Sequence, residues 1–256
     1  MGDSSDKTAI VVEGIRKVFG NRVVLDEVSL NIQRGEIFVI MGGSGSGKST
    51  LLRIMTGGIS PTEGEVLFHG ENMAELTGDR KERIKQRFGM SFQSAALLDF
   101  LTVEENVSLP LREHTKLSDK IISIIVRMKL GLVGLRGFEK YYPSMLSGGM
   151  RKRVGLARAI AMDPEIVFYD EPTAGLDPVA CAMVDQLILE LTKRLKLTSV
   201  VVTHNMESVF RIADRIAMLY KGKLLEVGTP RQIRHSSNPI VQQFIKGEIE
   251  GPIELG

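Results

Sequence analysis

Four short apolar runs punctuate the chain, at Ile37–Met41 and at residues 166–169, 200–202 and 216–219. They are rich in β-branched side chains and lack strict polar–apolar alternation. Strands covered on both faces of a parallel sheet carry this pattern, because neither face needs polar residues. Between the second and third runs, Val184, Leu187, Ile188, Leu191 and Leu195 keep helical spacing after Pro178, a residue suited to a first helical turn. This alternation predicts a layered α/β core. Residues 10–18, 23–32 and 65–68 read instead as half-exposed strands, an antiparallel flank. From about residue 94 to 161 the pattern is mostly helical. There Ile121, Ile122, Ile125, Met128 and residues 129–132 mark an amphipathic helix with Ser118 or Asp119 as its cap. Thr229-Pro230 and Asn238-Pro239 each open a short helix, and Gly247 closes the second.

Composition narrows the classes. A chain of 256 residues accommodates one large domain, or one domain with an insertion. At 43% hydrophobic and 25% charged it sits near the globular average, which excludes disorder over most of its length. Lys plus Arg is 33 against 31 for Asp plus Glu, a net charge of +2. A protein built to coat nucleic acid needs a stronger basic excess. The single cysteine, Cys181, excludes an intramolecular disulfide framework and fits a reducing compartment. No apolar run approaches the roughly 18 residues of a bilayer span. Residues 1–7 are polar with no apolar stretch behind them, so no secretory signal is expected. The expectation is a soluble, cytoplasmic protein able to dock on a membrane protein.

The most specific local pattern is Gly42-Gly43-Ser44-Gly45-Ser46-Gly47-Lys48-Ser49-Thr50, which fits G-x-x-x-x-G-K-[ST] between a predicted strand and a helical pattern. Glycines let consecutive backbone N–H groups converge on one point, and a helix N-terminus adds positive potential there. Lys48 suits the outer phosphates and the Ser49 hydroxyl suits Mg²⁺. A second pattern is the apolar run 166–169 ending in Asp170-Glu171. Strand-end polarity alone accounts for such a pair. Behind a phosphate loop, Asp170 suits Mg²⁺ held through water, and Glu171 suits polarisation of an attacking water. Successive strand side chains point to opposite faces, so the two serve different tasks. The third pattern is Leu146-Ser147-Gly148-Gly149-Met150, followed by Arg151-Lys152-Arg153 and a helical run through Met162. Alone it reads first as a flexible cap. Its hydroxyl and N–H groups also suit a second phosphate at a helix start.

Together with these three, Gln93, Leu176-Asp177 and His204 fall in the order of the ABC-type ATPases. The chain resembles that family from about Ile10 to Phe244. The resemblance implies an α/β P-loop NTPase (RecA-like) fold, with a parallel-sheet core, an antiparallel β flank and an inserted helical subdomain. The expected division is a single domain over residues 1–247 and a tail over 248–256. Within the domain, the catalytic core covers about 8–93 and 162–229, the helical subdomain about 94–161, and C-terminal helices about 230–247. ATP and Mg²⁺ are the implied cofactors. By resemblance, Phe19 stacks on adenine, residues 42–50 cradle the phosphates, and Ser49, Gln93 and Asp170 hold the metal. Ser147, Gly148, Gly149 and Met150 resemble the signature loop, Asp177 the D-loop aspartate, and His204 the switch histidine that contacts the γ-phosphate. Glu171, His204, Lys48 and Gln93 are the implied catalytic groups. Singly, Phe19 also reads as a core or edge aromatic, Gln93 as an exposed loop residue, His204 as a helix cap and Asp177 as an N-cap. Three departures from the family stand out. Met150 replaces the usual Gln and removes a side-chain hydrogen bond, Phe19 replaces the commoner Tyr, and Ala174-Gly175 precedes the D-loop where Ser-Ala is usual.

Within the family, residues 110–115, Val133-Gly134-Leu135-Arg136-Gly137, the Met-ended signature and residues 239–252 resemble the ATPase of Mla/Mce-type phospholipid transporters. That resemblance implies a second copy of the chain arranged head to tail across ATP, an integral-membrane permease and accessory envelope lipid-binding subunits. It places the chain on the cytoplasmic face of the inner membrane, with no nucleic-acid partner. Residues 95–101, an apolar stretch in a loop-like setting, suit a groove for a permease helix or simple packing under the helical subdomain. The cluster Arg80, Lys81, Arg83, Lys85 and Arg87 reads as a solvated helix face. The alternatives are an ABC ATPase energising another cargo, or a soluble one acting on nucleic acid or ribosomes. Glu171 disfavours a non-hydrolysing switch. In the tail, Ile249, Pro252, Ile253 and Leu255 are expected to anchor on the second ATPase subunit; the plainer reading is a disordered end.

Overall fold

The computed structural model describes residues 7–253. Two sheets carry it. The central one is built on β3 (Ile37–Met41) and β8 (Thr198–Thr203), all of whose residues are buried. β3 pairs in parallel with β8 on one side and β9 (Arg215–Tyr220) on the other. β8 continues to β7 (Ile166–Asp170), and β7 to β6 (Phe88–Ser91), again in parallel. β10 (Lys223–Gly228) closes the far edge antiparallel to β9.

The absence of alternation in these strands follows from their surroundings. Val39 and Met41, Val167 and Tyr169, and Ile216 and Met218 face one core, shared with the helices. Phe38 and Ile40, Phe168, and Ala217 and Leu219 face a second core, shared with the other sheet and with α1 (Lys48–Met55). Each face buries its side chains, so neither selects for polar ones.

The second sheet is antiparallel where the sequence suggests a flank. It comprises β1 (Thr8–Phe19), β2 (Arg22–Gln33), β4 (Glu63–Phe68) and the two-residue β5 (Glu71–Asn72), in the order β2-β1-β4-β5. Ile10, Val12, Ile15, Leu25, Val28 and Ile32 supply its buried face. β5, β6 and β10 carry little sequence signal. β6 is Phe-Gly-Met-Ser, and its Gly89 has a packing cause: a Cβ there would lie 2.2 Å from the Ala159 carbonyl oxygen.

Between β6 and β7 come α3 (Val103–His114), α4 (Asp119–Leu132) and α5 (Gly148–Ala159). Thr102 and Glu105 form a reciprocal capping box on α3. Ser118 occupies the N-cap position of α4 without a side-chain cap bond. The buried stripe of α4 is Ile122, Val126, Lys129 and Leu130, whereas Ile121 and Met128 point outward. Lys129 lies in that stripe because its ammonium pairs with Asp163 at the far end of its alkyl stem. The basic cluster sits largely on α2 (Gly78–Lys85), where Ile84 is the buried residue, so it is a solvated face as the sequence suggests.

α6 (Pro178–Leu195) and α7 (Met206–Ile212) flank β8, and α8 (Pro230–Arg234) and α9 (Pro239–Lys246) end the chain. Thr229 caps α8 in a capping box with Gln232, Asn238 caps α9, and Gly247 ends it at φ 67°. The tail folds back on its own α9: Gln243 Nε2 donates to the carbonyls of Glu248 and Ile249, and the Ile253 amide donates to Gln243 Oε1. Leu255 lies outside the described residues, as do residues 1–6. Among the described residues no helix is long and apolar enough to cross a membrane.

Candidate active site

The phosphate-type loop leaves β3 at Gly42 and enters α1 at Lys48. Two of its glycines are sterically required. At Gly42 (φ 153°) a Cβ would stand 2.2 Å from the Leu219 carbonyl oxygen, and at Gly47 (φ 103°) 2.6 Å from Leu25 Cδ2. The chain thus threads directly against β9 and β2. Lys48 Nζ donates to the carbonyls of Gly42 (2.8 Å) and Gly43 (2.9 Å), so its ammonium is folded over the loop. Burial lowers its pKa from the ordinary lysine value, opposed by the charges of Glu171 and Asp170. The Ser46 hydroxyl is buried without a partner, and Ser49 is exposed on the first turn of α1.

Opposite this loop, β7 ends in Asp170 and is followed by Glu171. Burial raises the Asp170 carboxyl above its usual range and Glu171 adds to the rise, while Arg53, Lys48 and Lys152 pull the other way. Its Oδ1 is buried and unpaired. Glu171 sits in the left-handed region at φ 46°, a backbone cost of about 1–3 kcal/mol for a non-glycine residue. Its amide donates to the Val202 carbonyl at 2.8 Å, which extends the β7–β8 ladder past the strand end. The carboxylate is clamped at both oxygens. His204 Nδ1 donates to Oε1 at 2.8 Å, and Thr203 Oγ1 donates to Oε2 at 3.1 Å. Lys152 Nζ reaches in from α5 and donates to the carbonyls of Gln93 and Glu171, the latter at 3.2 Å. Burial lowers the Lys152 pKa, again opposed by Glu171 and Asp170.

Lys48, Asp170, Glu171, His204 and the Gln93 backbone are therefore brought into one charged cluster, with the Gln93 side chain exposed beside it. Ser147, Gly148, Gly149, Met150 and Asp177 are not in it. They line a separate cavity of about 290 Å³ between the start of α5 and the start of α6, with no residue of the phosphate loop on its wall. There the Ser147 hydroxyl accepts from the Met150 amide, and Asp177 Oδ1 accepts from the amides of Val179 and Ala180. Both are N-caps, and the cap reading of Asp177 holds. Phe19 stands at the end of β1, 50% exposed, with Lys17 Nζ 4.9 Å from its ring centroid.

Two contributors escape sequence reading, Thr203 and Lys152. Thr203 closes a strand whose residues are all apolar or small, and its hydroxyl is buried onto Glu171. Lys152 lies in a run of three basic residues that reads as surface. Its one sequence signal is the spacing Lys152, Gly155, Arg158, which places all three on one side of a helix.

The donor set fits a nucleoside triphosphate with a divalent cation. A buried hydroxyl and a buried carboxylate oxygen are both without partners, and the ammonium is held by exchangeable carbonyls. The ABC transporter family profile matches residues 25–174. The chain is also 42% identical over 250 residues to the intermembrane phospholipid transport system ATP-binding protein MlaF of Haemophilus influenzae, across 98% of this chain and 95% of that protein. The chain belongs to the ABC transporter family. It is 41% identical over 247 residues to the probable ribonucleotide transport ATP-binding protein mkl of Mycobacterium leprae, covering 96% of this chain and 71% of that one. Among solved structures, the dimeric bacterial ABC transporter cassette MJ0796 superposes with a TM-score of 0.79 at 34% identity, covering 87% of this chain and 99% of that one. In this ABC cassette, residues 42–50 and residues 147–150 stand apart within one chain.

Proposed function

We propose that the chain is the ATP-binding and ATP-hydrolysing subunit of a transporter that moves phospholipid in the bacterial envelope. The ATPase reading is carried by Glu171, a carboxylate held at both oxygens beside Lys48 and Asp170. The amides of residues 42–50 receive the phosphates, and Lys48 exchanges the Gly42 and Gly43 carbonyls for phosphate oxygens. Ser49, Asp170 and the Gln93 side chain would hold Mg²⁺. When bound, the cation neutralises charge that develops on the phosphoryl oxygens. Glu171 orients the attacking water and accepts its proton, and His204 positions that carboxylate and faces the γ-phosphate side. Phe19 offers its ring to the base.

Two copies pack head to tail, so that Ser147, Gly148 and Gly149 of one close on the γ-phosphate held by the phosphate loop of the other. Asp177 lies at the same interface. The dimeric cassette that this chain resembles supports pairing of two copies. The phospholipid cargo rests on the relative from Haemophilus influenzae, whose name states a part in phospholipid transport; a transporter of that kind would pair this chain with an integral-membrane permease and envelope lipid-binding subunits. The permease helix seats at residues 95–101, where Leu98 and Phe100 are exposed and Phe92 adds a third apolar side chain.

Mixed subunits test the shared site. One subunit carries Lys48→Ala and the other Ser147→Arg, which blocks the signature by bulk. Each homodimer is expected to be nearly inactive, whereas the mixed dimer has one composite site with both defects and one with neither. It should recover activity, or, where the sites are strictly coupled, still bind ATP at the intact one. A crosslink from Ser147 to nucleotide held by its own chain overturns the arrangement. Co-purification with a permease, followed by ATP-driven phospholipid movement between vesicles, tests the cargo; movement of another solute and not phospholipid refutes it.

A further inference from the structure

The helix that begins with the signature loop is bound to the opposite site of its own chain by one face. Lys152, Gly155 and Arg158 of α5 follow one another at intervals of three and line that face. Lys152 Nζ donates to the backbone carbonyls of Gln93 and Glu171. Arg158 donates from both terminal nitrogens, to Ala95 O at 2.6 Å and Ala96 O at 2.7 Å. Ala95 and Ala96 are both left-handed, at φ 61° and 46°, a conformation that needs outside support in a non-glycine residue. Between the two cations, a Cβ on Gly155 would come within 3.2 Å of Ala95 Cβ, so the loop lies directly on the helix. On the other side of the same helix start, Ser147 caps α5 and opens onto the second cavity.

We infer that Lys152 is a positioning residue that ties the signature helix to the Gln93 loop and to the backbone of Glu171, coupling the two nucleotide sites of a dimer through one side chain. A displacement of α5 when its Ser147 end meets the partner's nucleotide moves the Lys152 ammonium. The two carbonyls it holds lead directly to the side chains that orient water and metal in the chain's own site. The ammonium is buried, so its two carbonyl bonds are not exchanged for bonds to bulk water. Coupling of this kind is physical when one element has two arrangements that both sites bias. The inference rests on the head-to-tail reading above.

The test uses the full-length chain with Lys152→Met, Lys152→Gln and Lys152→Arg, read by the ATP dependence of steady-state hydrolysis and by thermal unfolding. For Lys152→Met, kcat is expected to fall about tenfold or more with the half-saturating ATP concentration within about twofold, the signature of a lost positioning contact. Its Hill coefficient should fall from above unity in the parent to about 1. Lys152→Arg, which can still donate to both carbonyls, should restore most of kcat and the cooperativity. Lys152→Gln is near in size and uncharged; should Lys152→Met not fold, it carries the test with the same expected losses in smaller measure. Unchanged kcat and Hill coefficient in Lys152→Gln overturn the inference. So does a parent Hill coefficient of about 1. Equal loss in Met, Gln and Arg variants with a matching fall in thermal stability also overturns it, since that marks a purely structural residue. A Glu171→Gln chain run in parallel separates the two readings. If it stays monomeric with ATP, the head-to-tail arrangement fails. If it dimerises while the Lys152 variants behave as the parent, this inference alone fails.

Discussion

The glycines of the phosphate loop and those of the signature loop differ in what requires them. Gly42 and Gly47 adopt positive φ, and a Cβ on either would strike the chain's own backbone or core within 3 Å. Gly148 and Gly149 have ordinary helical room: a Cβ would meet Leu176 Cδ2 at 3.6 Å and Ala180 Cβ at 4.0 Å, both normal contacts. The first pair is explained by folding. No contact among the described residues requires the second, which sits on a half-exposed cavity wall. The partner's phosphate in the proposed head-to-tail dimer, approaching close to the backbone, would account for it. The chain's own carboxylates show the same asymmetry. Glu171 is locked by His204 and Thr203, whereas Asp177 serves a helix cap and faces a cavity with no cation of the phosphate loop on its wall.

The largest effect should come from the internally locked side. Glu171→Gln keeps the size and hydrogen bonding of the side chain but removes the base, and should lower turnover by roughly two or more orders of magnitude. ATP binding should persist, and an ATP-trapped dimer should appear in size-exclusion chromatography. Near-parental turnover in the purified variant would remove Glu171 from its role.

Next in size is Lys48→Ala. The backbone cradle stays while its mobile cation goes, so ATP affinity should fall about tenfold or more, as for loss of a hydrogen bond to a charged group. The fold should survive, because Lys48 pairs with loop carbonyls rather than with a buried carboxylate. A titration matching the parent's would refute this placement.

A paired comparison of glycines is the sharpest way to break the contrast. Gly47→Ala should destabilise the apo chain by about 1–3 kcal/mol through backbone strain, visible as a lower Tm. Gly148→Ala should leave Tm unaltered, within about ±0.5 kcal/mol, as for a position with room to spare. Its ATPase activity should nonetheless fall about tenfold, equivalent to about 1.4 kcal/mol of lost transition-state contact. If Gly148→Ala unfolds the chain, the signature glycines are structural and the contrast fails.

The smallest effect concerns the base. Phe19 is half exposed and shares its ring with Lys17, so stacking should sit at the low end, about 1 kcal/mol or fivefold in affinity. Phe19→Ala should weaken ATP and GTP alike, since every purine has a stacking face. Unchanged affinity for both in equilibrium binding would make Phe19 a structural edge aromatic.

Read along the chain, the site divides into legible and illegible parts. The phosphate loop is legible because its chemistry is contiguous: strand, glycines, Lys48 and helix follow one another and act on one point. Asp170 and Glu171 are legible for the same reason, as a buried strand with a polar end. Lys152 is not, because its meaning lies in contacts with residues 59 and 19 positions away. In sequence it is the middle of three basic residues, and only the fold shows that Arg151 and Arg153 turn elsewhere, to the carbonyls of Leu146 and of Val133 and Gly134. β6 is missed through composition. Two of its four residues are Gly and Ser, and Gly89 answers to the helix end that presses on it rather than to strand propensity.

Most of the element types, and the run of residues that suits a phosphate, follow from local pattern, because hydrophobic period, helix caps and glycine-rich turns act over a few residues. Only the tertiary structure decided which residues meet. It set the strand order β10-β9-β3-β8-β7-β6, which brings Glu171 beside His204, and it separated the signature loop from the phosphate loop of the same chain. The physical reason is range. Propensity and patterning are summed along the backbone, whereas burial of charge is decided by whatever distant segment the fold delivers, and Lys152, Thr203 and Glu171 owe their partners to that delivery.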